Sequence, residues 1–220
     1  MSWDPDQYRR FSPERTLPFH HLVAAIGRLN PPIVVDLGCG TGELTSTLLE
    51  RWPEVRIIGI DNSEEMIARG QSRAVPGRLQ FEVADIGRWL APVAVDLMIS
   101  NACFHWINDH RSLFDHLLPQ LAEDGVLAFQ VAANHTEPSH TLLHRLCSSP
   151  RWRDRLDGLP TTGVREPQWY IDELGNRGLE VSAWQTTYFH LLDGDNPVLE
   201  WVRGTTLGPI LERLPEAERD

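Results

Sequence analysis

The sequence predicts an α/β fold, a mostly parallel twisted sheet with helices on both faces, and three observations carry that prediction. Short apolar runs rich in β-branched residues alternate with segments of helical periodicity. The first run ends in an acid followed by glycines at every second position, Asp36-Leu37-Gly38-Cys39-Gly40-Thr41-Gly42, and the next run ends in a second acid, Asp61. Fully apolar strands bounded by turns, each followed by a helix, belong to parallel sheets buried on both faces. With 220 residues the chain suits one such domain with a substantial core.

Taken in order, Trp3, Tyr8, Phe11 and Arg15 precede an amphipathic helix whose core face is Phe19, Leu22, Val23 and Ile26. A strand over Ile33 to Asp36 and a helix over Glu43 to Arg51 form the first unit, and Arg56 to Asp61 with Ser63 to Arg73 the second. Ser63 followed by Glu64 and Glu65 supplies a capping hydroxyl and two acids at a helix start. The third strand is Leu79 to Val83 and the fourth Val95 to Ser100. A helix over Arg111 to Leu121 and a tight turn at Glu123-Asp124-Gly125 lead into the fifth strand, Val126 to Val131. Residues 135–178 are rich in Arg, Pro and Gly and read as a helical insertion. Leu179 to Leu192, through Val181, Trp184, Tyr188 and Leu191, reads as a long sixth strand, with helices after Asn196. The whole is one domain: N-terminal lid helices in 1–30, a central core in 31–134, the insertion, and the last strand with C-terminal helices in 179–220.

A formal charge of −11 argues against a nucleic-acid partner, which would call for a basic face. No apolar run approaches the ~20 residues of a membrane span, and the polar Met1-Ser2-Trp3-Asp4-Pro5 is unlike a signal sequence, so a soluble cytoplasmic protein, monomeric or weakly oligomeric, is expected. Cys39, Cys103 and Cys147 are odd in number and show no C-x-x-C spacing, which indicates neither a disulfide framework nor a thiolate metal site. His140, His144 and Cys147 fall on one helical face, but no acidic or fourth ligand accompanies them, and no metal is expected. All 20 basic residues are Arg, so any site for a carboxylate must be built from Arg.

Alternate glycines after a strand let bare backbone approach a ligand, and an acid about twenty residues further on is placed to accept two ribose hydroxyls. The nicotinamide fingerprint needs its third glycine one residue later than Gly42, where Glu43 stands. The spacing resembles instead the first motif of the class I methyltransferases, which have a Rossmann-like fold and use S-adenosyl-L-methionine. Asn30-Pro31-Pro32 looks like the motif of adenine-amino methyltransferases but precedes the first strand, where that motif cannot act.

Within that class the chain resembles the trans-aconitate methyltransferase family nearly end to end. The matching residues include Trp3-Asp4-Pro5 with Tyr8, Glu14-Arg15, Asp36 to Gly40, Arg51-Trp52-Pro53, Gly59-Ile60-Asp61 with Met66 and Ala84-Asp85-Ile86 with Trp89. They continue through Asn101-Ala102 with Trp106, Glu137-Pro138 with His140, and Trp184 to Tyr188 with His190. The resemblance implies methyl transfer to one carboxylate of trans-aconitate, giving a monomethyl ester. It also implies that Gly38, Cys39, Gly40 and Asp36 meet the methionyl part, Asp61 the ribose, and Met66, Asp85 and Ile86 the adenine. Asn101 would lie by the methionyl amine, with Trp3 and Tyr8 closing over the cofactor.

Such a reaction suits this residue set. A carboxylate is already ionised at neutral pH, so no catalytic residue of acid/base type is expected, and positioning is the main task. Arg15 is the first candidate anchor for a substrate carboxylate, since a guanidinium holds one bidentately. His105, Trp106, His140 and Tyr188 are further substrate-binding candidates; relatives in this family commonly carry Gln at the position of His105. Gly208 stands where an Arg is expected, and the seventh strand of the class, inserted between fifth and sixth, has no counterpart after Leu192, so a shortened chain with impaired catalysis is one alternative. Another is a methyltransferase for a different small or carrier-bound carboxylic acid.

Overall fold

The computed structural model describes residues 12–27, 29–156, 163–203 and 206–219. They fall into two compact units, one of Arg15–Val131 and one that takes in the described part of Ala132–Asp220.

The first unit opens with helix α1 (Ser12–Ala25) and alternates β1 (Ile33–Leu37), α2 (Glu43–Arg51), β2 (Arg56–Asp61), α3 (Glu64–Gly70), β3 (Leu79–Val83), β4 (Val95–Asn101), α4 (His110–Leu117) and β5 (Leu121–Gln130). The five strands form one parallel sheet in the order β3-β2-β1-β4-β5. The chain therefore winds outward through β2 and β3, returns beside β1 and continues the other way, which puts the switch point between β1 and β4. Ligands in open α/β sheets bind above the strand ends at such a point.

Every residue of β1 is buried, as is the central run Ile57–Ile60 of β2, which explains their lack of polar alternation. Val34, Ile57, Leu97 and Ile99 join Phe19, Leu22 and Val23 of α1 and Leu48 and Trp52 in one apolar cluster, with Ile26 packed on it. The amphipathic helix expected at Phe19 to Ile26 thus buries the face its periodicity marks. The Trp52 indole donates to the Leu29 carbonyl at 2.7 Å, so burying that ring leaves no polar atom stranded. Ser63 caps α3 by accepting from the Met66 amide, and Asp109 caps α4 through Ser112.

Strand β5 differs from its expected form. It pairs with β4 on both sides of a register shift, Val95 with Leu121 and then Leu97 with Val126, so Glu123-Asp124-Gly125 is a bulge inside the strand and not a turn before it. A Cβ at Gly125 would stand 2.8 Å from the Val95 carbonyl oxygen, and only glycine allows that approach.

The second unit contains α5 (Pro138–Cys147), α6 (Arg153–Leu156), α7 (Pro167–Gly175), α8 (Pro197–Arg203) and α9 (Gly208–Glu212). A small cluster of Cys147, Leu156, Ile210 and Leu214 holds parts of it together. The long strand expected over Leu179 to Leu192 is not formed: these residues pair with no strand, and no strand follows β5 among the described residues. Exposure alternates only at their end, Phe189 and Leu191 being 92% and 97% exposed while Tyr188, His190 and Leu192 are half-buried. Tyr188 stacks on His190, and His190 on Trp201 of α8. Alternation reports extended backbone, whereas a ladder also needs a neighbouring strand to bond with. Among the described residues no helix is long and apolar enough to cross a membrane.

Candidate functional site

The C-terminal ends of β1 and β2 are tied together by the glycine loop. The amides of Gly38 and Cys39 donate to the Ile60 carbonyl at 2.8 and 3.0 Å. Gly38 has φ +82°, and a Cβ there would stand 2.4 Å from Cys103 Sγ, so the loop lies directly against the residue that follows β4. Gly40, at φ +55°, has nothing within 4 Å of where a Cβ would point. Its bare face opens outward. The Gly40 amide donates to Asp61 Oδ2 at 2.9 Å and the Ser63 amide to Oδ1 at 2.9 Å, so one carboxylate fixes both the loop and the start of α3.

Asp36 is buried beneath this loop, its Oδ2 accepting from the Thr45 hydroxyl at 2.5 Å. Burial raises its carboxyl to about 7; the Thr45 bond opposes the rise and the charge of Asp61 adds to it. Asp61 is also raised, chiefly by burial, against the lowering effect of its bonds from Ser63 and Gly40. The unfolded chain gives up the Asp36 proton near 4, so between about 4 and about 7 the native protein holds more protons than the unfolded one. Asp36 therefore makes the fold less stable as pH rises through that window and adds no further loss above it. Asp36→Asn, which can still accept from Thr45, is expected to flatten the fall in melting temperature between pH 4 and 7. A profile as steep as that of the unaltered protein would refute this.

The end of β4 supplies the next group. Asn101 closes the strand, and its Oδ1 is buried without a hydrogen-bond partner among the described residues. Ala102 follows at φ +53°, its amide donating to Gln130, and a single 3-10 turn covers Phe104–Trp106. Phe104 is fully buried and stacks on Phe129, while His110 Nε2 donates to its carbonyl at 2.8 Å. That turn projects His105 beside Trp106, ring centroids 4.8 Å apart. His105 Nδ1 is buried and likewise has no partner, and burial, followed by the nearby His110, lowers the ring to about 4. Burial pushes the thiol of Cys103 up to about 12 and that of Cys39 higher still, with the charges of Asp36 and Asp61 adding in both cases.

The structure thus joins Asp36, Gly38, Cys39, Gly40 and Asp61 in one bonded loop, with Asn101, His105 and Trp106 on the adjoining strand end. Met66 is buried in the first turn of α3. Beyond β3, Ile86 is buried, whereas the Asp85 carboxylate is exposed and accepts from the Gly87 amide at 2.9 Å. His140 and Tyr188 belong to the second unit. Both ring nitrogens of His140 already have partners, Nδ1 with Ser139 Oγ at 3.1 Å and Nε2 with Thr206 Oγ1 at 3.2 Å. Arg15 falls in α1 but its side chain, like Trp3 and Tyr8, lies outside the described residues. Sequence reading missed Thr45, which holds Asp36 from nine positions away with no motif to flag it, and Cys103, whose packing on Gly38 is visible only in three dimensions. The cap expected at Ser63 forms, and its amide bond to Asp61 follows from the same turn.

The arrangement is one of acceptor oxygens around an open glycine face, suited to hydroxyls and a cationic amine and not to phosphate. A family model described as a methyltransferase domain matches residues 34–125, the span from β1 into β5. A chain from the complex between the Haloferax volcanii Trm112 methyltransferase activator and a methyltransferase has the same fold, with TM-score 0.61 and 21% identity over 80% of this chain and 72% of that one. The trans-aconitate 2-methyltransferase of Streptomyces avermitilis is 43% identical over 100% of this chain and 84% of its own length, and that of Streptomyces coelicolor 43% identical over 97% and 73%. At that identity, sustained over nearly the whole sequence, the chain belongs to the trans-aconitate 2-methyltransferase family.

Proposed function

We propose that the protein transfers a methyl group from S-adenosylmethionine to one carboxylate of trans-aconitate, releasing the monomethyl ester. The observation that carries this is the 43% identity to trans-aconitate 2-methyltransferases across nearly the entire chain. The residues fit the cofactor. Asp61 keeps a lone pair on each oxygen for ribose hydroxyls after accepting from Gly40 and Ser63, and the unpartnered Asn101 Oδ1 is an acceptor for an amine. Asp36 beneath the loop gains reason to ionise when a cation arrives, and the apolar Met66 and Ile86 are suited to the flanks of a purine. When bound, S-adenosylmethionine supplies the methyl group as an electrophile on a sulfonium. The chain's own task is to seat an already ionised carboxylate, keep water away from it and hold it in line. For the remaining carboxylates Arg15 is the proposed fork, with Tyr188 as a hydrogen-bonding candidate; His140, whose two ring nitrogens are engaged by Ser139 and Thr206, would first have to exchange one of those bonds. The whole chain acts as a single methyltransferase domain, cytoplasmic, monomeric or weakly oligomeric, with no nucleic-acid partner.

Incubation with S-adenosylmethionine and a panel of di- and tricarboxylates, followed by mass detection of esters, tests the reading. The expected result is monomethyl trans-aconitate, formed with kcat/KM at least ~10-fold above that of the other acids, a margin within reach of a few specific contacts. No ester from any acid would refute it.

A further inference from the structure

Two buried polar atoms at the end of β4 have no partner among the described residues, Asn101 Oδ1 and His105 Nδ1. The amine of the cofactor accounts for the first and leaves the second. A buried polar atom without a hydrogen bond is rare in a native fold because its desolvation is uncompensated, and a ligand is one thing that compensates it. The His105 ring is not loosely placed. Its turn is held by Trp106 N–H to the Cys103 carbonyl at 3.0 Å and Ile107 N–H to the Phe104 carbonyl at 2.9 Å, and by Phe104, which is buried against Phe129. The ring itself lies against Trp106.

We propose that His105 binds the carboxylate that receives the methyl group, donating Nδ1–H from a neutral imidazole. The inference rests on the carboxyl-methylating reading above and names the contact that reading lacks. A carboxylate only accepts, so the tautomer is the one with its proton on Nδ1. Neutrality matters to the chemistry. A cationic group bonded to the reacting oxygen would draw off the charge that makes it a nucleophile, and would repel the sulfonium it must approach; a neutral donor orients the oxygen and leaves its charge available. Burial keeps the ring neutral throughout the physiological range.

The test uses the full chain as wild type, His105→Leu and His105→Asn. The Asn amide nitrogen is attached to Cγ, as Nδ1 is, and so restores a donor at the same place. Calorimetric titration of trans-aconitate into each protein saturated with S-adenosylhomocysteine should show binding to wild type, a loss of ~10–100-fold in His105→Leu, and recovery to within ~3-fold of wild type in His105→Asn. Affinity for S-adenosylhomocysteine should be unchanged in both variants. In the wild type, the ¹⁵N signal of His105 Nδ1 should shift on adding trans-aconitate, a readout that does not depend on either variant folding. Unchanged binding by His105→Leu, or an unmoved Nδ1 signal while trans-aconitate binds, overturns the assignment and leaves the reaction standing. No binding of trans-aconitate by wild type overturns both.

Discussion

Asp61→Ala is expected to weaken binding of S-adenosylmethionine by at least ~100-fold, because it removes the acceptor proposed for the ribose and also releases the loop proposed to meet the methionyl part. Each carboxylate oxygen faces a backbone N–H, that of Gly40 on one side and of Ser63 on the other. Asp61→Asn is therefore no rescue. Whichever way its amide is turned, an NH₂ group meets one of the two N–H donors, so the isosteric variant should fall within a few-fold of alanine. Melting temperature should respond less than affinity. Burial holds the Asp61 carboxyl above its ordinary range in spite of its two bonds, so removing the charge returns part of what desolvation takes away. Calorimetry with S-adenosylmethionine, paired with thermal unfolding of the free protein, separates the two effects. Asparagine binding as tightly as aspartate would show that the carboxylate does not join loop and ligand.

Gly38→Ala should cost substantial stability for a single added methyl group. The added Cβ would stand 2.4 Å from Cys103 Sγ and 2.6 Å from Cys103 Cβ, on a backbone at φ +82° that side chains avoid. Together these strains amount to about 3 kcal/mol or more, which lowers the melting temperature of a chain this size by roughly 6–12 °C. Adding Cys103→Ala should recover only part of the loss, since Cys103 Cβ remains too close. Gly40→Ala is the contrast. With nothing within 4 Å of its Cβ, it should pay only for alanine on a left-handed backbone at φ +55°, about 1–2 kcal/mol, and melt less far below wild type than Gly38→Ala, and it should still lose cofactor affinity, because the methyl group would occupy the open face. If Gly38→Ala and Gly40→Ala melted together, the packing of the loop on Cys103 would not be what limits it.

The part of the fold legible in sequence was the part fixed by local pattern. Val34, Val35, Ile57, Ile58 and Ile60 are apolar without interruption because both faces of their strands are covered, and Ser63 caps α3 through an amide three residues away. What could not be read depends on distant neighbours. Whether Leu179 to Leu192 forms a strand is decided by a bonding partner elsewhere in the chain, and its own alternation says nothing of that. The bulge at Glu123 to Gly125 looked like a turn because glycine and acids signal both; only the pairing of Leu121 with Val95 distinguishes them. The same holds for the site. Asp36, the glycines and Asp61 stand at spacings that sequence displays, whereas the unpartnered Nδ1 of His105 comes from burial that no spacing encodes.

Cys39 and Cys103 flank Gly38 at the centre of the glycine loop, which would ordinarily make that loop vulnerable. Thiols are attacked as thiolates, and burial together with the carboxylates of Asp36 and Asp61 holds both thiols protonated at neutral pH. Sulfur at the heart of the site is thus chemically quiet. Peroxide and alkylating agents should pass it by, and methylation can be followed in open air without a reducing agent.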